Sequence, residues 1–84
     1  MTDDLQDIKV DHVVDSRGAL CPVPVLAASK AVKDVPPGGV MEIQATDPAA
    51  ASDVPAWARR SGHEFLGMLR APGYLRLFVK MMAG

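Results

Sequence analysis

Cysteine is almost missing from this sequence: Cys21 stands alone among 84 residues. One cysteine cannot close an internal disulfide, and a free thiol is most at home in a reducing compartment. A disulfide-stapled secreted fold is thereby excluded, and a cytoplasmic location is expected. Aromatic residues are also few, with one Trp, one Tyr and two Phe. The only histidines are His12 and His63. Together with a single cysteine they fall short of the four ligands of a structural zinc site, so no metal is expected. Neither sign of charge is in excess: 9 Lys and Arg stand against 10 Asp and Glu, a net charge of -1. That balance argues against a surface built to grip nucleic acid directly. No apolar run approaches the roughly 20 residues that span a bilayer. The acidic start, Met1-Thr2-Asp3-Asp4, lacks the basic region and apolar run of a secretory signal.

What remains is 49% hydrophobic and 23% charged, enough apolar material for a packed core in one small domain of modest stability. A loose polar segment is expected over 1–7 and a single domain over 8–84. Ile8, Val10, His12 and Val14 alternate, which predicts a first strand ending near Asp15. Ser16 to Leu20 reads as a loop. Pro22 and Pro24 then sit where a helix tolerates proline, in its first turn. Val25, Ala28, Ser29 and Val32 fall on one face of that helix, and Pro36-Pro37-Gly38-Gly39 stops it.

Met41, Ile43 and Ala45 alternate with Glu42, Gln44 and Thr46 and predict a second strand. Asp47-Pro48 ends it. Ala49 to Ser61 predicts a second helix, either capped by Asp53 or kinked at Pro55, with Gly62 as its stop. His63 to Arg70 and Tyr74 to Met81 predict two strands joined at Ala71-Pro72-Gly73. The order is β-α-β-α-β-β. The expected class is α+β, a two-layer α/β sandwich with a four-stranded mixed sheet and two helices on one face. The other face of the last strand would then show Tyr74, Arg76, Phe78 and Lys80, an amphipathic strip suited to a partner or a dimer.

Cys21 lies where a loop gives way to a helix. A helix N-terminus favours a thiolate over a thiol, and an ordinary thiol, with a pKa of about 8.5, is mostly protonated at neutral pH. Arg17, four residues upstream, is a candidate for a further favourable charge. Pro22 and Pro24 offer no N–H, which leaves the donors of Val23 and Val25 and an expected shift that is downward and moderate. The two prolines also hold the sulfur in a defined place at low entropic cost. The competing reading of any lone cysteine is a small buried hydrophobe. Asp47-Pro48 either orients the Cys21 loop or serves as a cap or turn initiator, and the second role is favoured. His12 and His63 have no cue placing them beside Cys21. The methionines and Trp57 read as packing residues. Lys30, Lys33, Arg59 and Arg60 read as solvated helix faces rather than a docking surface.

Asp15, Gly18, Cys21-Pro22-Val23-Pro24, Val25-Leu26 and Lys30 form one run. Pro37-Gly38, Asp47-Pro48, Asp53-Val54-Pro55-Ala56-Trp57, Gly62-His63-Glu64 and Tyr74 to Lys80 follow it in order. With these segments the chain resembles the TusA family of sulfur carrier proteins, the SirA-like family, from Val13 to Lys80. The resemblance implies that Cys21 is the catalytic residue, accepting sulfane sulfur as a persulfide and passing it on. Arg17, Gly18, Pro22, Pro24 and Asp47 would support it. It implies no cofactor beyond that transient sulfur, and no membrane partner is expected of a chain without a long apolar run. The donor would be a cysteine desulfurase or a rhodanese-like protein. The acceptor would serve tRNA thiolation, molybdenum cofactor assembly or a sulfur-oxidation relay. Some members carry a second cysteine where this chain has Ala58, so an internal resolving thiol is missing here. A non-catalytic interaction module and a thiol redox sensor are the alternatives.

Overall fold

The computed structural model describes residue 5 and residues 8–82. The element order is β1 (His12–Ser16), α1 (Val23–Ala31), β2 (Val40–Ala45), α2 (Ala50–Arg60), β3 (Glu64–Ala71) and β4 (Tyr74–Lys80). The four strands form one sheet in the order β1-β2-β4-β3. β1 and β2 are parallel, and β4 runs antiparallel to both β2 and β3. The mixed sheet and two helices of the expected α+β sandwich are therefore present.

The alternating residues of β2 explain the packing. Met41, Ile43 and Ala45 are fully buried, and they meet Leu77 and Val79 of β4 with Ala28, Val54, Trp57 and Ala58 of the helices. A side-chain period of two puts all three β2 residues on the helix-covered face. α1 carries Pro24 in its first turn and buries Pro24, Ala28 and Ala31. It stops at Ala31 and tightens into a 3-10 turn over Val32–Asp34. Val35 is already extended, with φ -111° and ψ 128°, as the residue before a proline prefers to be.

Three expectations change. β1 begins at His12, four residues later than the alternation from Ile8 suggests. β2 begins only at Val40, and that carbonyl accepts the Asp11 N–H at 2.9 Å. Ile8 instead donates its N–H to the Leu5 carbonyl. α2 is continuous from Ala50 with Ala49 as its cap, so Asp53 lies inside its first turn and Pro55 inside the helix. The carbonyl that Pro55 leaves without its helical donor is that of Ala51, an exposed residue, so the lost bond falls where solvent has access.

The third change concerns the helix-free face. Phe78 is 0% exposed, not part of an open strip. Arg76 reaches across to Glu42, with its Nε 3.0 Å from Oε2 and its outer nitrogen 3.2 Å from Oε1. Its guanidinium also lies 5.3 Å from the centre of the Phe78 ring. Beside Phe78 in the register is Gly67, which sits at φ +150° after a break in the β3 pairing. A Cβ on Gly67 would stand 2.8 Å from Leu5 Cδ1, so the side chain of Leu5 occupies the space a larger residue would need. Leu5 apart, the segment 1–7 expected to be loose lies outside the described residues. Among the described residues, no helix is long and apolar enough to cross a membrane.

Candidate functional site

The parallel pairing of β1 and β2 brings their C-terminal ends together, Ser16 beside Ala45. The loops that leave these two strands lead into α1 and α2, so the first turns of both helices rise from one end of the sheet. Cys21 lies in the first of these loops and is exposed. Gly18, at φ +87°, turns that loop, and its N–H donates to Thr46 Oγ1 at 2.9 Å. Ser16 Oγ donates to the Gln44 carbonyl at 2.7 Å. The loop is thus tied to the exit of β2 on both sides of Arg17.

Asp47 does both things the sequence leaves open. Its Oδ1 accepts the Ala49 N–H at 3.0 Å, a turn at the start of α2. Its Oδ2 accepts the Cys21 N–H at 2.6 Å. The Cys21 and Ala49 amides hold its carboxyl below the usual carboxylate range. Pro22 caps α1 and Pro24 is buried in its first turn, which fixes the backbone that carries the sulfur. The Cys21–Pro22 peptide is cis.

The thiol itself contradicts the electrostatic expectation. Cys21 Sγ–H donates to Asp53 Oδ2 at 2.6 Å. That hydrogen bond pushes the thiol pKa up, and lost hydration and the charges of Asp53 and Asp47 push it the same way. Little of the help anticipated from α1 is on hand. Pro22 and Pro24 have no N–H, and the Val23 N–H is taken by the Leu20 carbonyl at 2.9 Å. Arg17 is not turned to the sulfur either. Its guanidinium pairs with Asp15 at 2.9 Å and lies 5.2 Å from the centre of the Tyr74 ring.

A cleft of about 210 Å³ opens at the sulfur, lined by Cys21, Pro22, Val25, Asp53, Ala56 and Arg60. Among the described residues Arg60 is its one cation, and it comes from the last turn of α2. Leu20, next to Cys21 in the loop, and Val23 and Leu26 of α1 are exposed although they are large and apolar. Neither histidine lines this cleft. His63 instead packs against Trp57, the rings 5.6 Å apart. Among the described residues, no group of three His, Cys, Asp or Glu side chains is arranged to hold a metal ion.

Of the residues singled out in the sequence, Cys21, Gly18, Pro22, Pro24 and Asp47 lie together here, and Arg17 turns to Asp15. From sequence, Asp53 is only one possible helix cap and Arg60 a solvated cation. The missed signal is topological. An acid in the first turn of a helix that starts beside the Cys21 loop is a neighbour of the sulfur across 32 residues of sequence.

With this geometry in place, comparison with known proteins is informative. The profile of the family described as "Sulfurtransferase TusA" matches residues 12–81. A sulfur carrier protein TusA of Pseudomonas syringae pv. tomato is 36% identical over 66 residues, 79% of each chain. YrkF of Bacillus subtilis, provisionally named a sulfur carrier, is 40% identical over 73 residues, 87% of this chain. This chain spans 40% of YrkF's length. The crystal structure of a SirA-like protein from Desulfitobacterium hafniense superimposes with a TM-score of 0.73, covering 86% of this chain and 99% of that one. At 20% identity that likeness speaks to the fold. The profile match and the identities say more: this chain is a member of the TusA family.

Proposed function

We propose that the protein carries sulfur as a persulfide on Cys21 Sγ, taking it from a donor protein and handing it to an acceptor protein. The observation that carries this reading is the setting of the one thiol: exposed, at the mouth of a cleft, with its backbone and side chain each held by a carboxylate.

In loading, Cys21 Sγ attacks the outer sulfur of the donor's persulfide. A new S–S bond forms on Cys21, and the donor's S–S bond breaks. The donor's inner sulfur leaves as a thiolate and takes up the proton that Cys21 gave up. Delivery repeats the exchange, with the acceptor's thiolate attacking the outer sulfur and Cys21 leaving. No net oxidation occurs, so no cofactor is called for beyond the sulfur in transit. Ala58 offers no second thiol, so discharge depends on the acceptor. The exposed Leu20, Val23 and Leu26, which flank Cys21 in the loop and the start of α1, suit contact with a protein that brings its own sulfur to the cleft.

A cysteine desulfurase or a rhodanese-like protein fits the donor's part. Relays of tRNA thiolation, molybdenum cofactor assembly or sulfur oxidation fit the acceptor's. The net charge of -1 favours contact with a relay protein over direct contact with nucleic acid. The free thiol favours a reducing, cytoplasmic compartment. A redox sensor is the weaker reading, because sensors rely on low-pKa thiols and this one is pushed up. A purely docking module is weaker too, because the thiol is exposed.

Incubation with a sulfane sulfur donor followed by mass spectrometry tests the proposal. A reducible gain of about 32 Da per sulfur atom on Cys21, absent in Cys21→Ala, is expected. No adduct, or an adduct that survives Cys21→Ala, refutes it.

A further inference from the structure

We infer that Asp53 is a positioning residue that latches Cys21 as an unreactive thiol, the sulfur becoming a nucleophile only when the Sγ–H···Oδ2 bond opens. The inference deepens the carrier reading and rests on it for its purpose, but its observable is the chemistry of the thiol alone.

The argument begins with what surrounds the sulfur. Asp53 is the fourth residue of α2 and only partly exposed, so its carboxylate is held by a helix rather than by a mobile loop. It takes the Cys21 S–H while Asp47, six positions earlier, takes the Cys21 N–H. A thiolate at this place would face two carboxylates across a few ångströms. From α1 the cleft receives Pro22 and Val25, which carry no charge, and from α2 it receives Asp53, Ala56 and Arg60. Among the described residues, Arg60 is thus the one cation lining the cleft, with two acids, Asp53 and Asp47, acting on the sulfur. The hydrogen bond and the local charge both favour the protonated sulfur.

The latch responds to cargo. Its donor is the hydrogen on Sγ, and a persulfide has none there, since Sγ is then bonded to Cβ and to the outer sulfur. Loading therefore ends the Cys21–Asp53 bond, and discharge, which returns a proton to Sγ, restores it. The empty carrier is guarded against stray electrophiles and oxidants, which attack thiolates. The loaded carrier holds its sulfur beside an acid that no longer receives a hydrogen bond from Sγ.

The test is the pH dependence of iodoacetamide alkylation of Cys21 in the full chain, for wild type and Asp53→Asn. Wild type is expected to show a midpoint above the ordinary cysteine value of about 8.5. Asp53→Asn keeps the shape and removes the charge, so its midpoint falls. Each unit of fall gives about tenfold more thiolate at pH 7, and that thiolate is about threefold less nucleophilic. Alkylation then rises roughly three- to fourfold per unit. An unchanged or raised midpoint in Asp53→Asn overturns the inference, since a merely structural role would leave the profile in place. Should Asp53→Asn fail to fold by circular dichroism, titration of thiolate absorbance in wild type decides alone: a midpoint at or below about 8.5 overturns it.

Sulfur loading measured on the same proteins separates this inference from the proposed function. Wild type that takes no sulfur ends the carrier reading and leaves the alkylation result to decide the latch. Asp53→Asn that loads sulfur but alkylates as wild type does ends the latch alone.

Discussion

Glu42 and Asp53 are both carboxylates that accept a hydrogen bond from a distant residue, yet they shape the molecule in opposite ways. Glu42, on the helix-free face, is 4% exposed. Burial pushes its pKa up, but the Arg76 guanidinium and the Gln44 amide outweigh that and hold it below the usual carboxylate range. Asp53, at the end of the sheet, has a neutral thiol for a partner, and its hydrogen bond pushes Cys21 up. A cation cancels the carboxylate's charge and locks the pair. A thiol leaves that charge in place, where it acts on the thiol's proton. The first arrangement holds strands together, and the second sets reactivity.

The contrast can be broken by finding that damage to one region spreads to the other. The largest expected effect is that of Phe78→Ala, which empties a fully buried ring site beside Arg76. A loss of about 3–5 kcal/mol in urea unfolding is expected, with the Cys21 alkylation profile unchanged in the remaining folded protein. A shifted profile would show that the two regions are coupled. Arg76→Ala comes next. It leaves Glu42 buried without its cation, and since Arg76 is itself about one-third exposed, the expected loss is about 2–3 kcal/mol. Adding Glu42→Gln should recover part of it, and strictly additive losses would argue against the pairing.

The smallest expected effect is that of an exposed ion pair. Hydrogen bonds and charge from Arg17 lower the Asp15 pKa to about 2, against about 3.9 in an unfolded chain. A depressed native pKa adds stability above the unfolded value, and that stability is lost as pH falls from about 4 to about 2. Arg17→Gln should flatten this limb of the stability curve and leave the share due to Glu42 in place. An unaltered limb would mean the pair is idle in solution.

Much of this was legible in the residues, for identifiable reasons. Met41, Ile43 and Ala45 alternate and face the helices, because a strand's period is intrinsic to its backbone. Gly18 and the prolines around Cys21 announce a turn and a helix start for equally local reasons. Ile8 and Val10 alternate just as well but form no strand, because pairing needs a neighbouring strand and β2 does not reach them. Phe78 was assigned to the correct face, yet that face was taken as open. Leu5, whose side chain fills the space beside Gly67 on that sheet, lies in a segment with no periodicity to read. The electrostatics of Cys21 failed in the same way. A helix N-terminus is visible in sequence, whereas a carboxylate from another helix is not, and Asp53 reversed the sign of the shift.

Asp47 has a consequence for protein engineering. One of its oxygens holds the start of α2 and the other holds Cys21, 26 residues away. The four-residue motif at Cys21 is therefore not a portable cassette. Grafted onto another scaffold without this acid and the helix it anchors, the loop would keep its prolines and lose its aim. A successful transplant would carry two short segments, Gly18–Pro24 and Thr46–Arg60, with their spacing preserved by parallel strands beneath them.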